Sequence, residues 1–406
     1  MPATHDPATF PGPLNGLRVL DLSTVYAGPF AATMLGDLGA DVLKVELPGA
    51  GDSLRGLPPY KDGVPLWWKV TNRNKRGITL DVRTEAGRAI LLELLAEYDV
   101  LVENFRSGTL DGWSLDAATL RRANPELIVL RVTGFGQTGP DRRRPGFARM
   151  FEALSGYTYI SGPPDKPPSY NGYPIGDAVT GLFGALGILA AVQHARSHPG
   201  EGGQDIDLSA TEAMLRLLDF LPIEYDQLGV VRERHGNTSA YNAPVDTYMT
   251  ADAKWISVHA GTQPMWERLA RLMDRPDLAQ SPDFIDNDSR VRNRDRLNPI
   301  VAQWMLGRPY AQLSALLGGA DIAHCPIHSI ADVFANPQMV ARGSIVQVED
   351  PSLGKVRMQG VVPLFEKTPG SVRRTGPGLG QDNEAVYASL GIADARLREL
   401  RARKVI

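Results

Sequence analysis

The feature that most constrains this chain is an alternation of two periods. Arg18–Leu22 reads as a strand, Phe30–Leu38 as an amphipathic helix ended by Gly39, and Asp41–Val45 as the next strand. After a Gly/Pro-rich loop at residues 48–66, Ile78–Leu80 reads as strand, Glu85–Glu97 as helix and Asp99–Val102 as strand, and Leu127–Val132 closes the series. Repeated βαβ units of this kind require a parallel sheet with helices on both faces and right-handed crossovers. The expected fold class is therefore α/β, with a Rossmann-like large domain.

The pattern changes after residue 134. Residues 134–176 are rich in Gly and Pro and weakly periodic, too long for a plain connection, which points to a functional segment. Helices are expected at Ala178–His194 and Ser209–Leu228, around the short run Gln204–Leu208. From about residue 230 to 335 a smaller α+β unit is expected, with a strand pair near Val245–Val258 and helices at Met265–Leu272, Arg290–Trp304 and Tyr310–Leu317. The remainder, Ile345–Ile406, reads as short strands such as Lys355–Met358, a turn at Gly376–Gly380 and a basic terminal helix.

Composition narrows the partners. With 43% hydrophobic and 22% charged residues, the 406-residue chain has the make-up of a soluble globular protein. A net charge of −3 offers nucleic acid or an anionic membrane no global attraction, so an anionic ligand must be held by local charge. The single cysteine, Cys325, excludes an internal disulfide and fits a reducing compartment, so a cytoplasmic location is expected. Met1–Pro7 lacks the basic start and apolar run of a signal peptide. The longest apolar stretch, Leu182–Val192, is about half of the roughly 20 residues that span a bilayer, and is read as a buried helix.

Several motifs fail in context. The loop Ser23–Pro29 has one glycine and a proline, so the dinucleotide fingerprint is missing where Glu46 would otherwise suit a ribose. Gly134, Gly136 and Gly139 spell that fingerprint, but Pro140 and the run Asp141–Pro145 follow where a helix should open. His324-Cys325-Pro326-Ile327-His328 matches no zinc spacing and reads as a buried loop, so no metal ligand is assigned. No serine-hydrolase elbow is present. Basic residues do gather near strand ends: Lys44, Arg73, Lys75 and Arg76, and Arg106. Ligands of parallel sheets bind there, although any single surface charge is ordinary.

Asp177 stands between Gly176 and the apolar helix. One reading makes it an N-cap, its carboxylate accepting a backbone N–H. Another makes it a reactive carboxylate kept ionised by the positive end of the helix dipole. The two roles are compatible.

Many short segments together resemble the family III CoA transferases, which include formyl-CoA transferase, carnitine CoA transferase and α-methylacyl-CoA racemase. They run from Pro13–Leu22, Ala27–Pro29 and Leu38–Glu46 through Asn72–Arg76, Val102–Arg106, Thr133–Gly136, Gly176-Asp177 and Gly202–Ser209. Gly236-Asn237, Arg275–Leu278, Phe334–Gln338 and Gly376–Gly380 continue the likeness. The resemblance implies a large Rossmann-like domain shared by residues 1–225 and 336–406, a small domain at 226–335, and an interlocked homodimer. It places the catalytic nucleophile on Asp177. CoA contacts fall on Val25, Tyr26 and Ala27, on Asn72, Asn74 and Lys75, on Asn104, Phe105 and Arg106, and on Thr133, Gly134, Phe135 and Gly136.

Two departures bear on the site. Leu47 stands where formyl-CoA transferase has a basic CoA contact, and no arginine follows near Asp111-Gly112-Trp113, which leaves Arg55, Lys75 and Arg142–Arg144 to pair with phosphate. The racemase branch has Gly-His-Asp where this chain has Gly146-Phe147-Ala148, and Phe147 cannot serve as one of two bases.

The expected activity is CoA transfer from a donor such as succinyl-CoA to a small dicarboxylic or hydroxy acid such as malate, itaconate or citramalate, by way of covalent aspartyl intermediates. The CoA thioester is a substrate, and no tightly bound cofactor is expected. Candidate anchors for the acid are Arg149, His235, Asn237 and His259. An acyl-CoA racemase of the same fold, or a CoA-binding protein in which Asp177 only caps a helix, are the alternatives.

Overall fold

The computed structural model describes residues 10–406; the N-terminal segment Met1–Pro7 lies outside them. Two compact units are present. One takes the described chain through Tyr157 together with Asn171–Pro222 and Gln338–Ile406, and the other takes Thr158–Tyr170 and Ile223–Pro337.

The first unit runs β1 (Arg18–Asp21), α1 (Ala27–Asp37), β2 (Asp41–Glu46), a small hairpin of β3 (Tyr60–Lys61) and β4 (Val64–Pro65), then α2 (Leu66–Thr71), β5 (Lys75–Thr79) and α3 (Glu85–Leu95). It continues through β6 (Val100–Glu103), α4 (Thr109–Gly112), α5 (Ala117–Ala123), β7 (Ile128–Thr133), α6 (Ala148–Leu154), α7 (Ile175–Ser197), β8 (Asp205–Ser209) and α8 (Ala210–Arg216). Six strands form one parallel sheet in the order β5-β2-β1-β6-β7-β8. Strand β2 is buried at all six residues, as in a parallel sheet covered on both faces, and its three charged residues are paired: Asp41 with Arg76 at 2.7 Å, Lys44 with Asp52 at 3.2 Å and Glu46 with Arg55 at 2.6 Å. One face packs Leu20, Leu43 and Leu101 against Leu91 and Leu94 of α3. The other packs Val19, Val42 and Val100 against α1 and α7.

Helix α1 starts three residues earlier than its pattern suggests, because Pro29 falls in the first turn, where its missing N–H costs nothing. It ends as expected at Gly39, whose φ of 101° suits the left-handed turn. Helix α7 is longer than expected, at 23 residues, and by length and composition it could cross a bilayer; half of its most apolar stretch is buried inside the protein. It crosses α1 closely: a Cβ on Gly181 would lie 2.9 Å from the Ala27 carbonyl oxygen. The expected helix Ser209–Leu228 is two, Ala210–Arg216 (α8) and Leu221–Leu228, parted where Asp219 takes a φ of 46°; Ser209 still belongs to β8, and its hydroxyl caps α8 by accepting the Glu212 N–H at 3.3 Å.

Strand β5 is a sheet edge, and residues 371–383 cover it. Asp382 accepts the Gly77 N–H at 2.7 Å and Asn383 accepts the Thr79 N–H at 2.9 Å. These side chains satisfy backbone donors that an open edge would leave unpaired.

The second unit has a three-stranded antiparallel sheet, β11 (Ala323–Pro326), β10 (Trp255–His259) and β9 (Val245–Met249), with helices at Gln263–Leu272, Arg294–Leu306 and Tyr310–Gly319. The expected helix Arg290–Trp304 is two, parted at Asn293. The segment read as a buried loop around Cys325 is instead β11, with Cys325 exposed; His324 Nδ1 lies 2.8 Å from the Ile322 carbonyl and its Nε2 3.1 Å from Ser314 Oγ.

Candidate active site

In a parallel sheet, ligands bind beyond the carboxyl ends of the strands where the strand order reverses. Here the reversal falls between β1, whose sequence successor β2 lies on one side, and β6 on the other. A cavity of about 230 Å³ opens there, wholly within the first unit. Its walls come from the loop after β1 (Thr24–Ala27), the loop after β6 (Asn104–Arg106), the end of β7 (Val132–Gly134) and the segment Arg142–Phe147, with Asp177 of α7 facing in.

The two loops are tied together. Asn104 accepts the Thr24 N–H at 2.7 Å and donates to the Thr24 carbonyl at 2.7 Å, a paired bond that copies one rung of a sheet. Val25 sits at a φ of 65°, an outlier for a β-branched residue, and its N–H donates to both Asp52 oxygens, at 3.0 and 3.3 Å. Asp52 is in turn held by Lys44 at 3.2 Å. Strain of order 1–3 kcal/mol at one residue persists only where surrounding bonds fix it, and such residues cluster at functional sites.

Asp177 is not the N-cap. Pro174 occupies that position, Asp177 is the third residue of α7, and no side chain caps the helix. Its carboxyl is also not held ionised as the helix dipole alone would have it: burial first, then the neighbouring Glu152 carboxylate, push it up to about 7. Glu152 comes from α6, is 1% exposed, and accepts the Gly176 N–H at 3.1 Å. Sequence reading missed this second acid. A signal existed, because Ala148, Phe151 and Glu152 share one helical face and all three are buried, so the acid lies in an apolar stripe.

Of the residues assigned to CoA, Val25, Tyr26, Ala27, Asn104, Phe105, Arg106, Thr133 and Gly134 line the cavity with Asp177. Phe135 and Gly136 stand just behind it: the Phe135 ring meets Phe151 at 5.6 Å, and the Gly136 N–H donates to Thr133 Oγ1 at 2.9 Å. Asn72, Asn74 and Lys75 are not brought to it. All three are buried, Lys75 Nζ bonding Asp21 at 2.8 Å, the Pro29 carbonyl at 2.7 Å and Asn72 at 2.9 Å. Asn74 bonds Asp37 at 2.7 Å and Ser371 at 2.8 Å. Burial pushes the Lys75 amine down to about 8, against the pull of Asp21. Arg55 is engaged by Glu46 at 2.6 Å and stacks on Trp68 at 3.7 Å. The cations that do line the cavity are Arg106, Arg142 and Arg144, all exposed at its mouth. A second cavity of about 270 Å³, walled by Leu47, Val82, Arg83 and Trp113, adjoins the first through Thr24 and Phe105.

An inward-facing carboxylate with the exposed cations Arg106, Arg142 and Arg144 among the same lining residues suits an anionic ligand that carries a reactive carbonyl. The family described as CoA-transferase family III matches residues 14–383. The succinyl-CoA–D-citramalate CoA-transferase of Chloroflexus aurantiacus is 41% identical over 98% of this chain and 98% of its own length. The beta subunit of that organism's succinyl-CoA–L-malate CoA-transferase is 41% identical over 97% of this chain and 98% of its own. Among solved structures, a CAIB/BAIF family protein from Brucella suis superposes with a TM-score of 0.84 at 33% identity, covering 94% of this chain and all of that one. With the family match spanning nearly the whole chain, this protein belongs to CoA-transferase family III, and it is a CoA-transferase.

Proposed function

We propose that the enzyme moves CoA from succinyl-CoA to a small dicarboxylic or hydroxy acid of the citramalate and malate type, with Asp177 as nucleophile. The observation that carries this reading is the position of Asp177 at the floor of the cavity where the strand order reverses. The CoA thioester enters with its phosphates at Arg106, Arg142 and Arg144, its base in the adjoining cavity walled by Leu47, Val82 and Trp113, and its pantetheine arm past Thr24 and Phe105.

The ionised Asp177 carboxylate attacks the thioester carbonyl; a C–O bond forms, the C–S bond breaks and the pair leaves on sulfur as CoA thiolate. The thiolate attacks the Asp177 carbonyl of the resulting anhydride, releasing succinate and leaving an aspartyl-CoA thioester. The acceptor carboxylate attacks that thioester, thiolate leaves again, and it then takes the acceptor's acyl carbon from the second anhydride and restores Asp177. Charge is conserved in every step, and the thioester's free energy stays in covalent bonds throughout. The reading includes a homodimer in the cytoplasm, supported by the family resemblance and by the single cysteine.

The test is to incubate the enzyme with succinyl-CoA, add hydroxylamine and map the product by peptide mass spectrometry. Modification at Asp177 alone is expected. Normal transfer activity in Asp177→Ala overturns the assignment.

A further inference from the structure

Tyr26 has a cavity on each side. On one it walls the chamber that holds Asp177; on the other it walls a larger cavity of about 450 Å³, lined chiefly by Phe30, Leu66, Trp67, Val70 and Tyr173. The Tyr26 ring stands among aromatic neighbours, 5.4 Å from Phe30, 5.6 Å from Trp67 and 6.0 Å from Tyr173. Tyr26 and Tyr173 are joined hydroxyl to hydroxyl. Tyr26 itself is 4% exposed, whereas Tyr173 is 53% exposed, so the latch pins a surface ring against a buried one.

The cavity's charge balance decides what it can hold. Among the described residues its one cationic lining residue, Arg73, is already neutralised: the guanidinium bonds both Asp37 oxygens, at 3.0 and 2.5 Å, and the Gln359 carbonyl at 2.6 Å. A carboxylate placed there would lose its hydration without gaining a counter-charge, which disfavours it strongly. An apolar ring would lose nothing and would meet four aromatic faces. The cations Arg106, Arg142 and Arg144 line the other chamber, with Asp177.

We infer that the cavity behind Tyr26 is a binding site for the uncharged carbon skeleton of a carboxylic acid, an arylalkanoate in class, and that the Tyr26–Tyr173 pair is the partition that parts to admit it. This rests on CoA transfer at Asp177 and adds to it an acid class unlike the dicarboxylates. A volume of this size lies within the ~300–1,000 Å³ range of small-molecule sites.

The experiment uses the full-length enzyme and 3-phenylpropionate as probe. Binding is followed by saturation-transfer NMR, and CoA exchange from succinyl-CoA is measured against malate. Val70→Trp fills the cavity, and Tyr173→Phe removes the latch at an exposed position. The expected results are binding to wild type, at least tenfold weaker binding to Val70→Trp, and a rise of about threefold in the phenylpropionate-to-malate ratio of kcat/KM in Tyr173→Phe. Absence of binding to wild type, or binding and ratio unmoved in both variants, overturns the site. Binding that behaves as expected while no acid of any kind receives CoA leaves the site standing and overturns the transfer reading.

Discussion

The Glu152 carboxylate accepts the backbone N–H of Gly176, one residue before Asp177, at 3.1 Å. That bond holds the first turn of α7 against α6, and it also sets the Glu152 carboxylate beside Asp177. Both effects follow from one side chain, and they separate on substitution.

In the proposed mechanism Asp177 reacts as the carboxylate; burial, and then Glu152, push its pKa up to about 7, so kcat/KM is expected to rise with pH through that region and level off above it. Glu152→Gln keeps an oxygen for Gly176 but removes the like charge, so the acidic limb of the profile should move to lower pH. A pH–rate series on the two enzymes checks this; an unmoved limb means that burial alone sets the Asp177 pKa. Glu152→Ala, which also orphans the Gly176 N–H, should cost about 1–3 kcal/mol in urea unfolding.

At the cavity mouth, Arg142 is an exposed cation among the lining residues. Arg142→Ala is expected to raise KM for succinyl-CoA about fivefold with little change in kcat, and the difference should shrink as salt is added. Steady-state kinetics at two ionic strengths measures both.

Lys75 and Asp21 are fully buried and 2.8 Å apart. Lys75→Met removes the nearer of two cations and leaves Asp21 with Lys44 at 3.8 Å and the Ser23 N–H at 3.0 Å, so a loss of about 3–5 kcal/mol in denaturant unfolding is expected. A stability change under 1 kcal/mol would refute the structural role given to this lysine.

Gly181 meets α1 without a side chain, and an added Cβ would lie 2.9 Å from the Ala27 carbonyl oxygen and 2.8 Å from the Phe30 ring. Gly181→Ala should destabilise the protein by roughly 1–3 kcal/mol, since neither backbone can retreat without moving the loop that holds Val25 and Tyr26. Scanning calorimetry reads the effect directly.

The parallel sheet was legible because its strands are short runs buried on both faces and its helices carry a clear apolar stripe; β2 and α3 read almost as they fold. The ends of α1 and α7 were not, since proline at a helix start and a glycine-studded interior look like breaks until the packing partner is known. Asp177 could be singled out by its neighbours, but its ionisation could not: it is raised first by burial, which only the packing shows, and then by an acid 25 residues earlier on a different helix. Lys75 misled for the opposite reason, as a basic cluster near a strand reads like a phosphate site until Asp21 is seen to meet it. The excursion of Thr158–Tyr170 into the second unit has no composition boundary to mark it within the Gly/Pro-rich stretch.

The closure of β5 by Asp382 and Asn383 has a consequence in time. The donors at Gly77 and Thr79 are covered by residues made about 300 positions later, so at ~5–20 residues per second a nascent chain carries an open sheet edge for roughly 15–60 s. During that interval the edge is a template for any neighbouring strand, and the yield of soluble enzyme should depend on translation rate and on chaperones that shield the edge until residues 371–383 arrive.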